Sequence, residues 1–217
     1  MTNQTEKQQV FIKINSITLE GELSVLTKTQ GLVVFAHGAG SSRQSPRNQF
    51  VAQTLNREGI ATLLFDLLTA EEDLLYQNRF NIDLLTERLI AVYAWLERQP
   101  QIKNLHLGFF GASTGAAAAL KAAASLGEKI AAVVSRGGRP DLAKDALPRV
   151  QSPTLLIVGG NDWEVIKFNK EAIKYIRAKK QLVIVPGATH LFEEPQALEE
   201  VTRLAAKWFK KYLKSVK

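Results

Sequence analysis

The sequence predicts an α/β fold in which a mostly parallel, doubly wound sheet carries helices on both faces. From residue 31 onward, short apolar runs alternate with helical patterns, the order expected when crossover helices connect parallel strands. Residues 10–14 and 17–23 alternate apolar and polar positions around Asn15-Ser16, which predicts an antiparallel hairpin. No segment is long enough for a large cap domain. The 217 residues are expected to form one domain, 1–217, with a flexible N-terminus over residues 1–9.

Apolar runs that end in glycine, aspartate or proline predict the remaining strands. These runs cover residues 31–36, 60–65, 105–110, 130–134, 154–158 and 182–185. Helical spacing and capping residues predict helices after Pro46, from Asn81 or Asp83 toward Pro100, over 116–126, over about 165–178 and at the C-terminus. The acidic segment 67–80 is predicted to be irregular, and it either covers the site or simply connects a strand to a helix.

Composition indicates an ordinary globular protein, with 46% apolar and 23% charged residues. The longest apolar stretches are strand-sized, which predicts no association with a membrane. There is no cysteine, which excludes disulfides, thiolate metal sites and a cysteine nucleophile. Residues 1–9 are polar and contain no apolar core of a secretion signal, so a cytoplasmic location is expected. No histidine clusters with carboxylates at metal-ligand spacing, and we expect neither a metal nor a cofactor.

The net charge of +7 raises the alternative of a nucleic-acid partner. Much of this charge lies on the last predicted helix, where apolar residues recur at helical spacing and leave the lysines on the solvent face. No nucleic-acid recognition motif accompanies them. We therefore expect a small-molecule substrate and no nucleic-acid partner, and the sequence does not determine the oligomeric state.

The most informative motif is Gly111-Ala112-Ser113-Thr114-Gly115, which lies between an apolar run and an alanine-rich helix. A strand, a tight Gly-x-Ser-x-Gly turn and a helix form the context of a nucleophile elbow. The glycines allow the strand and the helix to approach without Cβ clashes. The helix dipole favours negative charge that develops beside Ser113. Taken alone, the motif also fits an ordinary glycine-rich turn.

Ser113 needs a base and an orienting acid, and both follow it in the sequence. In an open parallel sheet, ligands bind beyond the carboxyl ends of the strands, where all the unusual loops of this chain lie. Asp162 follows the penultimate strand and His190 follows the last one, which gives the order serine, acid, histidine. Asp66 also ends a strand and is the alternative acid, but it precedes the serine and can instead cap local N–H groups.

These motifs resemble the α/β-hydrolases, and more closely the dienelactone hydrolase-like group of small hydrolases. The resemblance covers the chain from residue 10 and rests on His37-Gly38-Ala39-Gly40, Gly111-Ala112-Ser113-Thr114-Gly115, Gly159-Gly160-Asn161-Asp162 and Gly187-Ala188-Thr189-His190. It implies a Ser113–Asp162–His190 triad and an oxyanion hole formed by the N–H groups of Thr114 and Ala39, in a turn that also contains Gly38. It implies that His37 shapes this turn. Dienelactone hydrolases proper use cysteine as the nucleophile, whereas this chain has Ser113, so dienelactone chemistry itself does not follow from the resemblance.

Arg43 and Arg47 follow the turn Gly38-Ala39-Gly40, called the oxyanion turn below. Arg136 and Arg139 follow a strand that ends near the elbow. Arginines in such loops bind carboxylate or phosphate, so they predict an anionic group on the substrate. The alternative is that they pair with carboxylates of the chain, for which Glu71, Glu72, Asp73 and Asp141 are the candidates.

The sequence predicts a serine hydrolase, of carboxylesterase or dienelactone hydrolase-like type, that cleaves a small ester, thioester or lactone. The alternative is a ligand-binding or regulatory protein that keeps the hydrolase scaffold with little turnover, because a fold does not determine a function.

Overall fold

The computed structural model describes residues 5–29, 31–102 and 104–213, which form one eight-stranded sheet with helices on both faces. The strands are β1 (Thr5–Ile14), β2 (Ile17–Leu26), β3 (Leu32–Ala36), β4 (Ala61–Phe65), β5 (Leu107–Ala112), β6 (Ile130–Arg136), β7 (Thr154–Gly159) and β8 (Lys180–Val185). The α-helices are α1 (Pro46–Arg57), α2 (Ala70–Asp73), α3 (Ile82–Leu96), α4 (Thr114–Leu126), α5 (Trp163–Ala172) and α6 (Ala197–Tyr212).

The strand order is β1-β2-β4-β3-β5-β6-β7-β8. The hairpin β1–β2 is antiparallel, and β2 pairs antiparallel with β4, whereas every pair from β4 to β8 is parallel. This confirms the predicted fold class. The carboxyl ends of β3 to β8 therefore lie at one edge of the sheet, where the elbow, the acid loop and the histidine loop meet.

The N-terminal strand begins earlier than the sequence pattern indicates. β1 starts at Thr5, which pairs with Leu26, so residues 5–9 are part of the sheet rather than of a flexible segment. The reason is that β2 continues to Leu26 and offers a pairing partner to each of these residues. Residues 1–4, the rest of the predicted flexible segment, lie outside the described residues.

Two apolar layers cover the two faces of the sheet. On one face, α3 and α4 pack against side chains such as Val34, Leu63 and Phe109. On the other face, α1 and α6 pack against their neighbours in the strands, such as Phe35 and Phe110. The alternation along each strand explains this division, because successive side chains point to opposite faces. In the described ranges, no helix combines the length and the apolar character that crossing a bilayer requires.

The segment 67–80 is more regular than predicted. Thr69 and Glu72 form a reciprocal capping box that starts the short helix α2, and a 3₁₀ helix covers Tyr76–Phe80. Neither helix buries a residue, and no cap domain is present among the described residues. The next helix, α3, begins at Ile82, and the side chain of the preceding Asn81 accepts a hydrogen bond from Leu84 N at 3.1 Å, so Asn81 rather than Asp83 is the cap. α5 ends at Ala172, six residues before the predicted end near 178.

Gly115→Ala is expected to destabilise the fold strongly, because α4 starts directly against the end of β3. A Cβ at position 115 would lie 2.3 Å from the carbonyl oxygens of Ala36 and His37, and backbone atoms cannot move aside cheaply. We expect the free energy of unfolding to fall by about 3 kcal/mol or more in a urea titration. Gly187→Ala is the control, since its Cβ meets open space and only the positive φ of +73° is strained. A loss for Gly115→Ala no larger than that of the control would contradict this account.

Candidate active site

Ser113 occupies the apex of a strained turn between β5 and α4. Its φ of 50° and ψ of −121° lie in a region that non-glycine residues rarely adopt. The two motif glycines make the turn possible. A Cβ on Gly111 would lie 2.4 Å from Ala116 Cα, and one on Gly115 would collide with the end of β3. This is the local geometry of a nucleophile elbow, with a half-buried serine at its tip.

Two loops bring Asp162 and His190 together. The loop after β7 packs closely on the loop after β8, because a Cβ on Gly159 would lie 2.4 Å from Ala188 O. Gly160 N donates to Val185 O at 2.8 Å, and Asn161 N donates to Ala188 O at 2.9 Å. Held in this way, the Asp162 carboxylate and the His190 Nδ1 are 2.6 Å apart. Asp162 precedes α5 without capping it through its side chain, so the carboxylate remains available to the histidine.

The contact with Asp162 fixes the tautomer of His190. A carboxylate accepts, so the Nδ1 carries the proton and the Nε2 of the neutral ring is a free acceptor. The alternative acid, Asp66, lies elsewhere: its carboxylate accepts from Arg43 N at 2.7 Å and from the Arg43 guanidinium. Among the described residues, the acid hydrogen-bonded to His190 is Asp162.

Ser113 and His190 contact the same loop, residues 136–139. Ser113 N donates to Arg136 O at 3.2 Å, and Ser113 O accepts from Arg139 N at 3.1 Å. The Gly137 Cα faces His190, since a Cβ there would lie 3.5 Å from the imidazole ring. Within the described residues, His190 is hydrogen-bonded to Asp162, whereas no direct hydrogen bond joins the Ser113 hydroxyl to the ring. Catalytic hydrogen bonds often tighten only when substrate is bound.

The turn after β3 lies against the elbow. Gly38 is close to Ser113, because a Cβ at position 38 would lie 3.0 Å from Ser113 Cβ. Ala39 N, the predicted oxyanion donor, donates to the Thr114 hydroxyl at 2.9 Å. The Thr114 side chain is therefore a structural link between the elbow and this turn, a role that the sequence analysis missed. No sequence signal could have found it, since the two residues are 75 positions apart and only the fold brings them together.

His37 is a neutral, structural histidine. Its Nε2 accepts from Leu67 N at 3.0 Å, so the proton is on Nδ1, which donates to Gly38 O at 3.0 Å. Burial lowers the pKa of His37 below its usual value, despite the opposing effects of the Gly38 carbonyl and the carboxylates of Asp66 and Asp73. The ring thus holds the turn after β3 to the segment after β4.

The four arginines differ in what they bind. Arg43 is paired with Asp66 and Glu20, and Arg139 with Asp141 at 2.7 Å. Arg47 is paired with Glu193 at 2.8 Å. For these three the ion-pair alternative holds, although only Asp141 was a predicted partner. Glu72 and Asp73 pair instead with Arg88 and Arg79. Arg136 has no carboxylate partner among the described residues, and only 7% of it is exposed.

A cavity of about 740 Å³ adjoins the oxyanion turn on the side of β2 and β4. Its described lining contains five acidic residues, which are Glu20, Asp66, Glu71, Glu72 and Asp73. Arg43 lies in this lining and is already neutralised, while neither Ser113 nor His190 lines it. In the ranges that the structure describes, no group of three or more histidine, cysteine, aspartate or glutamate side chains could hold a metal ion.

The fold and the elbow define the class of this protein as an α/β-hydrolase. Residues 26–216 match the dienelactone hydrolase family, and the chain belongs to that family. The crystal structure of a dienelactone hydrolase from Anabaena variabilis has a TM-score of 0.95 and 51% sequence identity, and the alignment covers 97% of this chain and 100% of that one.

One solved structure shares the fold at low sequence identity, and two curated relatives are longer than this chain. Est1E from Butyrivibrio proteoclasticus shares the fold with a TM-score of 0.81 at 18% identity, over 94% of this chain and 98% of that one. Two Mycobacterium tuberculosis proteins, provisionally named phosphoribosyl transferases, are each 55% identical over 202 residues, or 93% of this chain. The chain spans about half the length of these curated relatives, 46% in each case.

Thr114→Val should disturb the oxyanion turn while keeping the shape of the side chain. The change leaves the partly buried Ala39 N–H without its acceptor, which costs about 0.5–1.5 kcal/mol of stability. We expect kcat for a p-nitrophenyl ester to fall about tenfold with a smaller change in KM, because the turn loses its position relative to Ser113. Thr114→Ser, which keeps the hydroxyl, should restore most of the activity. Equal kinetics in the valine and serine variants would show that the hydroxyl does not position the turn.

The stability of the protein should fall as the pH decreases through about 6.5, the value for an unperturbed histidine. Because the pKa of His37 is lower in the folded than in the unfolded state, the unfolded chain binds the extra proton first. The contribution of His37 to the free energy of unfolding is therefore complete above this pH and is lost below it. Chemical unfolding between pH 7 and 5 measures the slope, which His37→Gln should flatten. His106→Gln removes an exposed histidine and should leave the slope in place; parallel slopes for all three proteins would exclude His37 as the cause.

Proposed function

We propose that this chain is a serine hydrolase that cleaves a small ester, thioester or lactone through an acyl-enzyme on Ser113. The observation that carries the proposal is the 2.6 Å contact between Asp162 and His190 Nδ1 beside a serine at the apex of an elbow. Membership of the dienelactone hydrolase family supports hydrolysis of a small molecule. The serine, instead of the cysteine of dienelactone hydrolases proper, favours ester substrates other than dienelactone.

In the proposed first half-reaction, His190 Nε2 takes the proton of the Ser113 hydroxyl while Oγ attacks the carbonyl carbon. The carbonyl π electrons move to oxygen and form a tetrahedral oxyanion. Its collapse breaks the bond to the leaving group, which takes the proton from His190 and departs as an alcohol or thiol. In the second half-reaction, His190 removes a proton from water, the hydroxide attacks the acyl-enzyme, and the acid leaves as Ser113 regains its proton. Asp162 holds the ring and stabilises the imidazolium that forms in each half.

The proposed oxyanion hole consists of the N–H of Thr114, at the start of α4, and the N–H of Ala39. The Thr114 N–H lies at a helix N-terminus, where the backbone dipole favours negative charge. The Ala39 N–H would move from the Thr114 hydroxyl to the oxyanion as charge develops. Donors of this kind stabilise the transition state by about 3 kcal/mol each when they start unpaired.

The name of the mycobacterial relatives refers to phosphoribosyl transfer by a chain more than twice as long as the matched part. The chain matches 46% of each relative, and it aligns over 97% of its own length with a dienelactone hydrolase. The hydrolytic geometry is therefore a better guide to the activity of this chain than that name. We further propose that the substrate carries an anionic group, for which Arg136 is the one predicted arginine without a carboxylate partner among the described residues.

The first test is hydrolysis of a graded p-nitrophenyl ester series by the wild type and by Ser113→Ala. We expect kcat/KM to fall by about 10³-fold or more, because the nucleophile is lost. Ser125→Ala, an exposed serine on the same helix α4, is the matched control and should retain full activity. A fluorophosphonate probe should label the wild type and the control but not Ser113→Ala.

Full activity in Ser113→Ala would refute the acyl-enzyme. Labelling of Ser113 together with negligible turnover on every ester would instead favour the alternative of a ligand-binding or regulatory protein on a hydrolase scaffold.

A further inference from the structure

Arg136 is a buried cation that the proposed hydrolytic mechanism does not use. It ends β6 and follows Val134 on the face covered by α1 and α6, with its guanidinium 5.9 Å from the centre of the Phe192 ring. Its Nε is buried without a hydrogen-bond partner, and no carboxylate of the described residues forms an ion pair with it. A buried charge in this situation is costly unless a counter-ion reaches it.

A second cation lies near the first, because the Arg136 guanidinium packs on Phe192 and Arg47 is paired with the next residue, Glu193. Burial, and then the charge of Arg47, lower the pKa of Arg136 to about 10. Arg47 stands in the first turn of α1, and its Nε is also buried without a partner, although its Nη1 is paired with Glu193 at 2.8 Å. The first turn of α1 contains no acidic residue. Two guanidinium groups and the positive end of a twelve-residue helix are thus brought together at residues 192–193.

This place adjoins the proposed nucleophile and base. The carbonyl of Arg136 accepts from Ser113 N, and the next residue, Gly137, faces the His190 ring. Phe192, which packs against the Arg136 guanidinium, is two residues after His190. A group bound at Arg136 and Arg47 would therefore belong to a small molecule whose scissile bond lies at Ser113. Arg43 and Arg139 do not offer such a site, because carboxylates already neutralise them.

We propose that Arg136 and Arg47, at the N-terminus of α1, form a subsite that binds a phosphate group carried by the ester substrate. The inference rests on the proposed function and narrows it from an anionic substrate to a phosphorylated one. A phosphate monoester carries a charge of about −1.5 to −2 at neutral pH, against −1 for a carboxylate, and so matches two cations and a helix N-terminus more closely. Its three oxygens can accept from both guanidinium groups at once.

Binding is tested first, with inorganic phosphate as the probe and calorimetry on the full chain carrying Ser113→Ala, so that the result does not depend on turnover. We expect saturable binding of phosphate, at least tenfold tighter than that of acetate. Adding Arg136→Gln or Arg47→Gln should weaken phosphate binding about 10- to 100-fold. Arg203→Gln makes the same change of charge at an exposed ion pair on α6 and should alter the affinity less than twofold. Absence of saturable binding, or equal weakening by Arg203→Gln, would overturn the subsite.

Kinetics then test whether this subsite serves the substrate. We compare p-nitrophenyl phosphonoacetate with p-nitrophenyl hemisuccinate and the neutral p-nitrophenyl propionate in an otherwise wild-type chain. The ratio of kcat/KM for the phosphonate to that for the neutral ester should fall at least tenfold in Arg136→Gln and in Arg47→Gln. Preference for the hemisuccinate, or a ratio that the variants leave unchanged, would refute a phosphate subsite.

Folding of each variant is checked by circular dichroism, and Arg47→Gln, at a more exposed position, keeps the test decisive if Arg136→Gln does not fold. The two proposals fail separately. If Ser113→Ala retains hydrolysis, the acyl-enzyme is refuted. The calorimetric binding of phosphate still shows whether the subsite exists.

Discussion

The close approach of α4 to the end of β3 is the constraint on which the rest of the site depends. At Gly115 there is no room for a Cβ, and the chain can enter α4 so near β3 only through the positive φ of Ser113. Backbone strain of this kind costs about 1–3 kcal/mol and persists when the surroundings determine it fully. Here the backbone of Ser113 is bonded on both sides to residues 136–139, and the alanines of α4 are buried behind it. The same approach brings the Thr114 hydroxyl to Ala39, so one packing contact positions the serine and its neighbouring turn together.

Around this fixed point, the two sides of the sheet edge carry opposite charge. Toward β2 and β4, five carboxylates line the cavity, and three arginines, Arg43, Arg79 and Arg88, pair with four of them, so a net negative charge remains there. Toward α1 and β6, Arg136 and Arg47 leave positive charge that described carboxylates compensate only in part. Such a gradient across one small edge orients a charged molecule before any specific contact forms, because fields are strong where water is partly excluded. For an anionic molecule, this charge distribution thus favours approach to the proposed nucleophile from the side of α1 and β6.

Much of this architecture could be predicted from the sequence. Buried parallel strands have continuous apolar sequences, and a nucleophile elbow needs small residues around its serine. The six later strands and the order of Ser113, Asp162 and His190 follow from such local signals. Contacts between distant segments have no local signal. The start of β1 depends on the length of β2, the partners of Arg43 and Arg47 depend on the path of the loops, and the Ala39–Thr114 bond joins two separate elements. Sequence spacing indicated that four arginines reach one edge, but only their surroundings distinguish the three that are paired from Arg136.

The Ala39–Thr114 bond also changes what the proposed oxyanion hole can contribute to catalysis. A donor that is unpaired in the ground state gains a whole hydrogen bond in the transition state, whereas the Ala39 N–H exchanges a neutral acceptor for a charged one. Hydrogen bonds to charged groups are about twice as strong as neutral ones, so the gain from this donor is about half of that from a free one. In return, the turn is held in place before substrate binds. Since only interactions that strengthen in the transition state accelerate the chemistry, the Thr114 N–H, at the free end of α4, should contribute more than the Ala39 N–H.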